Sequence, residues 1–185
     1  MTAQEDALAQ LAALLEDTRV PYMVIGGLAN IVWGEPRATL DIGVTVWLAD
    51  TEIPGFVDRV RTAHRLLVDD PATFIEQTRV LPVETQSGVR IDLIFGQLPF
   101  EREAIDRARE VSLAGTRARV CTPEDLILMK IVSDRDRDIA DARALVKRRF
   151  SELDRTYLEP RIDELSSLLE RPDIRARWDE WSRHD

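Results

Sequence analysis

Three features of this 185-residue chain predict an α+β fold. Strand-like segments gather in the first two-thirds and helical ones close the chain, a segregated order rather than a regular βαβ alternation. Residues 41–48 have a period of two, with Ile42, Val44, Val46 and Leu48 on one face and Asp41, Gly43, Thr45 and Trp47 on the other. An apolar segment, Tyr22 to Ile25, runs into Gly26-Gly27 and then a helical stretch from Leu28 to Trp33. A strand that hands glycines to a helix N-terminus is a device for holding phosphate, because the backbone can approach closely and free N–H groups point at the anion.

The remaining elements follow in order. Residues 4–17 space Leu8, Leu11, Leu14 and Leu15 for an amphipathic helix. Gly34-Glu35-Pro36 ends the glycine-led helix, since proline disfavours helical geometry in the residue before it. Residues 52–66 carry the stripe Ile53, Phe56, Val57 and Val60, and Asp70-Pro71 opens a short helix through Gln77. Residues 79–84 and 89–95 form a hairpin across Thr85-Gln86-Ser87-Gly88, with Asp92 on the face opposite Ile91 and Leu93. Pro99 to Glu110 reads as a helix and 112–121 as a small hairpin around Ala114-Gly115. Thr122-Pro123-Glu124-Asp125 combines a hydroxyl cap, an N1 proline and first-turn acids, so a helix runs to about Ser133. Three further helices are expected: one ending near Phe150, then 157–170 and 173–182. The expected division is an α+β core over 1–121 and a helical region over 122–185 packed on it.

Composition excludes several classes. With 44% hydrophobic and 32% charged residues the chain is globular. Its most apolar uncharged run, about Val20 to Gly34, is too short and too glycine-interrupted to span a membrane. No basic stretch followed by an apolar run opens the chain, so no signal peptide is expected. One cysteine, Cys121, excludes an internal disulfide and fits a reducing cytosol, so a cytoplasmic location is expected. With only His64, His184 and Cys121 at hand, a zinc site is not expected. The net charge of −9 argues against broad nucleic-acid binding, although the acids concentrate in residues 1–100 (7 basic, 14 acidic) and residues 101–185 are nearly balanced (18 and 20).

The chemistry concentrates in Gly26-Gly27, Asp41 on the next strand and Asp92 on a third. Carboxylates on neighbouring strands can hold Mg²⁺ against phosphate oxygens and favour in-line attack on phosphorus. Gly26-Gly27-Leu28-Ala29, Trp33-Gly34-Glu35-Pro36-Arg37-Ala38-Thr39 and Asp41-Ile42 together resemble the nucleotidyltransferases of the DNA polymerase β-like superfamily. Within it they are most similar to the AbiEii-like group, which includes toxins of toxin–antitoxin systems. The resemblance extends to Val89-Arg90-Ile91-Asp92-Leu93-Ile94, to Thr122-Pro123-Glu124-Asp125-Leu126 with Lys130, and to Arg135, Arg137, Asp138 and Asp141. It implies a nucleotidyltransferase-like mixed sheet flanked by helices, and transfer of a nucleoside monophosphate from an NTP to a hydroxyl on tRNA, other RNA or protein. It also implies Mg²⁺ on Asp41 and Asp92, nucleotide contacts from Gly26, Gly27, Arg37, Thr39 and Lys130, and a catalytic set of Asp41, Asp92 and Lys130. A cognate antitoxin is the implied protein partner.

One position departs from that pattern. The family carries Asp-x-Asp where this chain has Asp41-Ile42-Gly43, and position 43 shares a face with Asp41. One metal ion could still be held by Asp41, Asp92 and the triphosphate, but two bridged ions would lack a ligand. A second reading therefore stands beside the first: a catalytically impaired member that binds nucleotide or a partner protein. Other residues also have two readings. Asp92 is either a metal ligand or the acid of a salt bridge with Arg90 or Arg37. Lys130 either reaches phosphate or snorkels at the surface. Arg135, Arg137, Asp138 and Asp141 either serve the reaction or pair with one another.

Overall fold

The computed structural model describes residues 2–35, 39, 41–113 and 115–183. Among them, helices α1 (Ala3–Thr18), α2 (Gly26–Trp33), α3 (Ile53–Ala63), α4 (Pro71–Thr78) and α5 (Pro99–Arg107) are interleaved with seven strands. These are β1 (Tyr22–Ile25), β2 (Asp41–Val46), β3 (Arg65–Leu66), β4 (Val80–Glu84), β5 (Arg90–Phe95), β6 (Arg109–Leu113) and β7 (Thr116–Val120). The chain closes with α6 (Pro123–Ile131), α7 (Asp136–Arg149), α8 (Arg155–Leu168) and α9 (Pro172–Trp181). The α+β class is what the segregated order predicted.

The chain divides into two compact units: Met1–Leu28 with Ala38–Cys121, and Ala29–Arg37 with Thr122–Asp185. The first holds a mixed sheet in the order β3-β4-β5-β2-β1-β7-β6. β2–β5 and β1–β7 are parallel, and the other neighbours are antiparallel. The period of two in β2 does what it promised. Ile42, Val44 and Val46 are fully buried and share a face with Ile91, Leu93 and Phe95 of β5. Phe56 of α3 meets Phe95 edge-on at 6.1 Å between centroids, so α3 covers that face. On the opposite face α5 packs against β1 and β2. Glu101 of α5, Thr45 and Trp47 crowd around Gly96 at the far end of β2. Exposure along β2 falls accordingly, from exposed Asp41 through half-buried Gly43 to buried Thr45. The beginning of β2 is thus the open end of its polar face.

The second unit is built on helix faces. Leu126, Ile127, Leu128 and Ile131 of α6 pack with Ala142, Leu145 and Val146 of α7, and Leu158, Ile162, Ile174 and Trp178 complete the interior. Trp178 and Trp181 are both buried, so their spacing serves packing.

Two expected boundaries move. The helix expected over 52–66 stops at Ala63, where His64 turns extended (φ −133°, ψ 151°) and Arg65-Leu66 pairs with Val83 and Glu84. The helix expected to reach Glu110 stops at Arg107, because Arg109 to Leu113 joins a ladder with Thr116 to Val120. In both cases strand pairing overrides a locally helical pattern. Ala114, in the expected hairpin turn, lies outside the described residues.

Candidate functional site

β1 ends at Ile25, and the chain turns through Gly26 at φ +65° into α2. That left-handed conformation favours glycine, which has no Cβ to clash with the following carbonyl. Gly27 is required for a different reason. A Cβ there would lie 2.4 Å from Thr39 Oγ1 and 2.7 Å from Thr39 Cβ, so the glycine backbone lies directly against that threonine. The Thr39 hydroxyl is in turn 3.1 Å from Asp41 Oδ1 and 3.2 Å from the Asp41 carbonyl oxygen. Gln4 Nε2 donates to the Thr39 carbonyl from α1. Thr39 therefore links the glycine turn to the carboxylate that opens β2.

The parallel register of β2 on β5 pairs Asp41 with Arg90 and Gly43 with Asp92. Paired positions point to one face, so Asp41, Gly43, Arg90 and Asp92 form a quartet on the open end of the sheet. Arg90 Nε donates to Asp92 Oδ1 at 3.0 Å, with the arginine side chain 56% and the aspartate 24% exposed. The salt bridge that was one of the two readings of Asp92 is thus formed, on the same face as Asp41. On the other side of Gly43, β1 places Ile25 opposite it. Register thus makes Ile25 and Arg90 neighbours of the carboxylates; Arg90 stood out in sequence only as a partner for Asp92, and Ile25 not at all.

The donor set decides what the quartet can hold. Asp41 and Asp92 offer carboxylate oxygens on adjacent strands, and the Thr39 hydroxyl is beside Asp41. Among the described residues no group of three or more His, Cys, Asp or Glu side chains could enclose a metal by itself. Two carboxylates suit a hard divalent ion that completes its shell with phosphate oxygens and water.

Lys130 belongs to the second unit and is 4% exposed. Its ammonium donates to Asp138 Oδ1 at 2.7 Å and Asp141 Oδ2 at 2.8 Å. Burial pushes the Asp138 carboxyl up, but hydrogen bonds from Lys130 and Ser133 with the charges of Lys130 and Arg135 outweigh it and hold the group below its ordinary range. The expected pairing of Arg135 with Asp138 is present at 2.7 Å. Arg37, expected at the nucleotide, lies outside the described residues.

In the basic run Lys147-Arg148-Arg149, Arg149 is spoken for: it donates to the Trp33 carbonyl and to Glu152, with its guanidinium 5.6 Å from the Trp33 ring centroid. Thr122 caps α6 as its sequence predicted, accepting from the Asp125 N–H at 3.1 Å.

Solved structures share the fold of this chain. The solution structure of the antibiotic-resistance factor ANT(2'')-Ia superposes with a TM-score of 0.60 at 15% identity, over 90% of this chain and 95% of that one. An antigenic nucleotidyltransferase-like protein from Paracoccidioides brasiliensis gives 0.55 at 17% identity, over 94% and 90%. The lincosamide antibiotic adenylyltransferase LnuA, lincomycin-bound, gives 0.54 at 14%, over 78% and 96%. At these identities the likeness is one of fold. No curated protein matches the chain in sequence. The family described as "Nucleotidyltransferase of unknown function (DUF6036)" matches residues 4–183, nearly the whole length, and the chain belongs to it.

Proposed function

We propose that the open end of the β2–β5 face binds a nucleoside triphosphate and that the protein transfers its nucleoside monophosphate to a hydroxyl acceptor. The observation that carries this reading is the register that sets Asp41 and Asp92 on one face of adjacent parallel strands, beside a glycine turn braced by Thr39. Gly26, Gly27 and the first N–H groups of α2 receive phosphate oxygens. Asp41 and Asp92 hold Mg²⁺, which when bound neutralises the triphosphate and polarises the phosphorus under attack. The acceptor oxygen forms a bond to the α-phosphorus, the bond to the β-phosphate bridging oxygen breaks, pyrophosphate leaves, and a carboxylate of the pair takes the acceptor proton. The resemblance also assigns Arg37 and Lys130 to the phosphates; Lys130 is bound to Asp138 and Asp141.

For the acceptor, tRNA or another RNA and protein hydroxyls remain the classes implied by the AbiEii-like resemblance, with the toxin of a toxin–antitoxin pair as the biological role. The shared fold of an antibiotic-resistance factor and a lincosamide antibiotic adenylyltransferase adds antibiotics as a third class to assay. The experiment supplies purified protein with α-labelled NTPs, Mg²⁺ and each acceptor class in turn. Transfer that disappears in Asp41→Asn and Asp92→Asn is the expected result. Gly43 supports a second reading, nucleotide binding without transfer. Binding by calorimetry with no label on any acceptor would favour it, and Asp41-dependent turnover would end it. Growth arrest on expression in a host tests the toxin role separately.

A further inference from the structure

Gly43 lies between two neighbours in the sheet, with Ile25 of β1 on one side and Asp92 of β5 on the other. A Cβ at position 43 would come 3.2 Å from Ile25 Cγ1 and 3.7 Å from its Cδ1. The isoleucine side chain therefore covers the spot from which a second β2 carboxylate would grow. A carboxylate added there would press on an apolar side chain and lose hydration on that side, which disfavours its charged form. The position lacks a ligand, and a side chain added there would crowd Ile25, which would have to shift to admit it.

The same face supplies a cation of its own. Arg90 is the register partner of Asp41, and its guanidinium donates to Asp92 at 3.0 Å. A positive charge on the same face offsets part of the negative charge that a second divalent ion would require. Its side chain is 56% exposed and free to turn outward, and a guanidinium is shaped to grip phosphate oxygens through paired N–H bonds.

Building on the nucleotide reading above, we propose that this site takes one divalent cation rather than two, with Arg90 supplying to the triphosphate the second positive charge. Ile25 is the side chain that crowds the other position. In this arrangement Arg90 leaves Asp92 when the ion and nucleotide arrive, exchanging one anionic partner for another.

The test titrates Mn²⁺ into the protein with a non-hydrolysable α,β-methylene ATP, reading free Mn²⁺ by electron paramagnetic resonance. Wild type binds one ion per nucleotide complex. Arg90→Gln loses about tenfold in affinity for the Mn²⁺–nucleotide, the scale of a charged hydrogen bond, and Arg90→Lys recovers part of it. Gly43→Asp combined with Ile25→Ala takes up a second ion more tightly than Gly43→Asp alone. Two ions on wild type, or Arg90→Gln binding as tightly as wild type, overturns the proposal while leaving nucleotide binding standing. Failure of wild type to bind the nucleotide at all overturns both. The wild-type ion count and the exposed Arg90 variants decide the matter even if the paired substitution at 25 and 43 does not fold.

Discussion

Among the described residues, Thr39 is what holds Asp41. Thr39 reaches its carboxylate at 3.1 Å, and Thr39 is itself pressed against the Gly27 backbone. Gly27→Ala puts a methyl group 2.4 Å from the Thr39 hydroxyl, inside any tolerable contact, so Thr39 must move and release Asp41. That variant should lose about 1–3 kcal/mol of stability by overpacking and, with it, most Mg²⁺-dependent nucleotide affinity. Urea unfolding beside calorimetry separates the two losses. Lys130 presents the opposite case, a charge whose partners are both visible. Lys130→Met leaves Asp138 and Asp141 facing each other with side chains only 14% and 10% exposed. Breaking a buried ion pair from one side costs about 3–5 kcal/mol, and a shift of that size in the urea midpoint is expected. Nucleotide affinity measured on the folded fraction then reports whether Lys130 also serves phosphate.

At the scale of elements, the helix that carries Lys130 depends on its cap. Thr122 is buried, accepts from the Asp125 N–H at 3.1 Å and donates to Asp125 Oδ2 at 2.6 Å, while Tyr157 of α8 donates to Asp125 Oδ1 at 2.7 Å. Thr122→Ala should cost about 1–2 kcal/mol, whereas Thr122→Ser keeps both bonds and most of the stability; thermal melts of the two variants compare them directly. This cap was readable from sequence because it is local: hydroxyl, proline and acids follow one another. The glycine turn and the alternation that set Asp41 and Gly43 together were readable for the same reason. The quartet around Gly43 needed more. Which residue of β1 lies over Gly43, and that Arg90 sits beside Asp41, depend on a register between strands distant in sequence, which no local pattern encodes. The ends of α3 and α5 were misplaced on the same account, since β3 and β6 owe their existence to partners elsewhere.

For the whole molecule, acid should act through groups of opposite kind, His64 and Asp138 among them. His64 is 4% exposed, with no hydrogen-bond partner on either ring nitrogen among the described residues, and burial holds its pKa below the ordinary 6.5. The unfolded chain takes up that proton first, so between the two values it binds more protons than the native state and stability rises with pH. Folding free energy should therefore decline as pH falls below about 6.5. Asp138, held below its ordinary 3.8, contributes stability that is present above that value and disappears as pH falls through its lowered one. Urea midpoints from pH 8 to 4 follow the His64 branch, and His64→Phe should flatten it. A slope unchanged by that substitution would assign the acid sensitivity elsewhere.

The proposed function requires that Asp41 and Asp92 together make a nucleotide site. Calorimetric titration of ATP with Mg²⁺ into wild type, Asp41→Asn and Asp92→Asn tests it most directly. Saturable binding by wild type, weakened in both variants while their melting curves stay two-state, is the predicted result. Absence of binding to any NTP, or affinity that neither substitution changes, would contradict it.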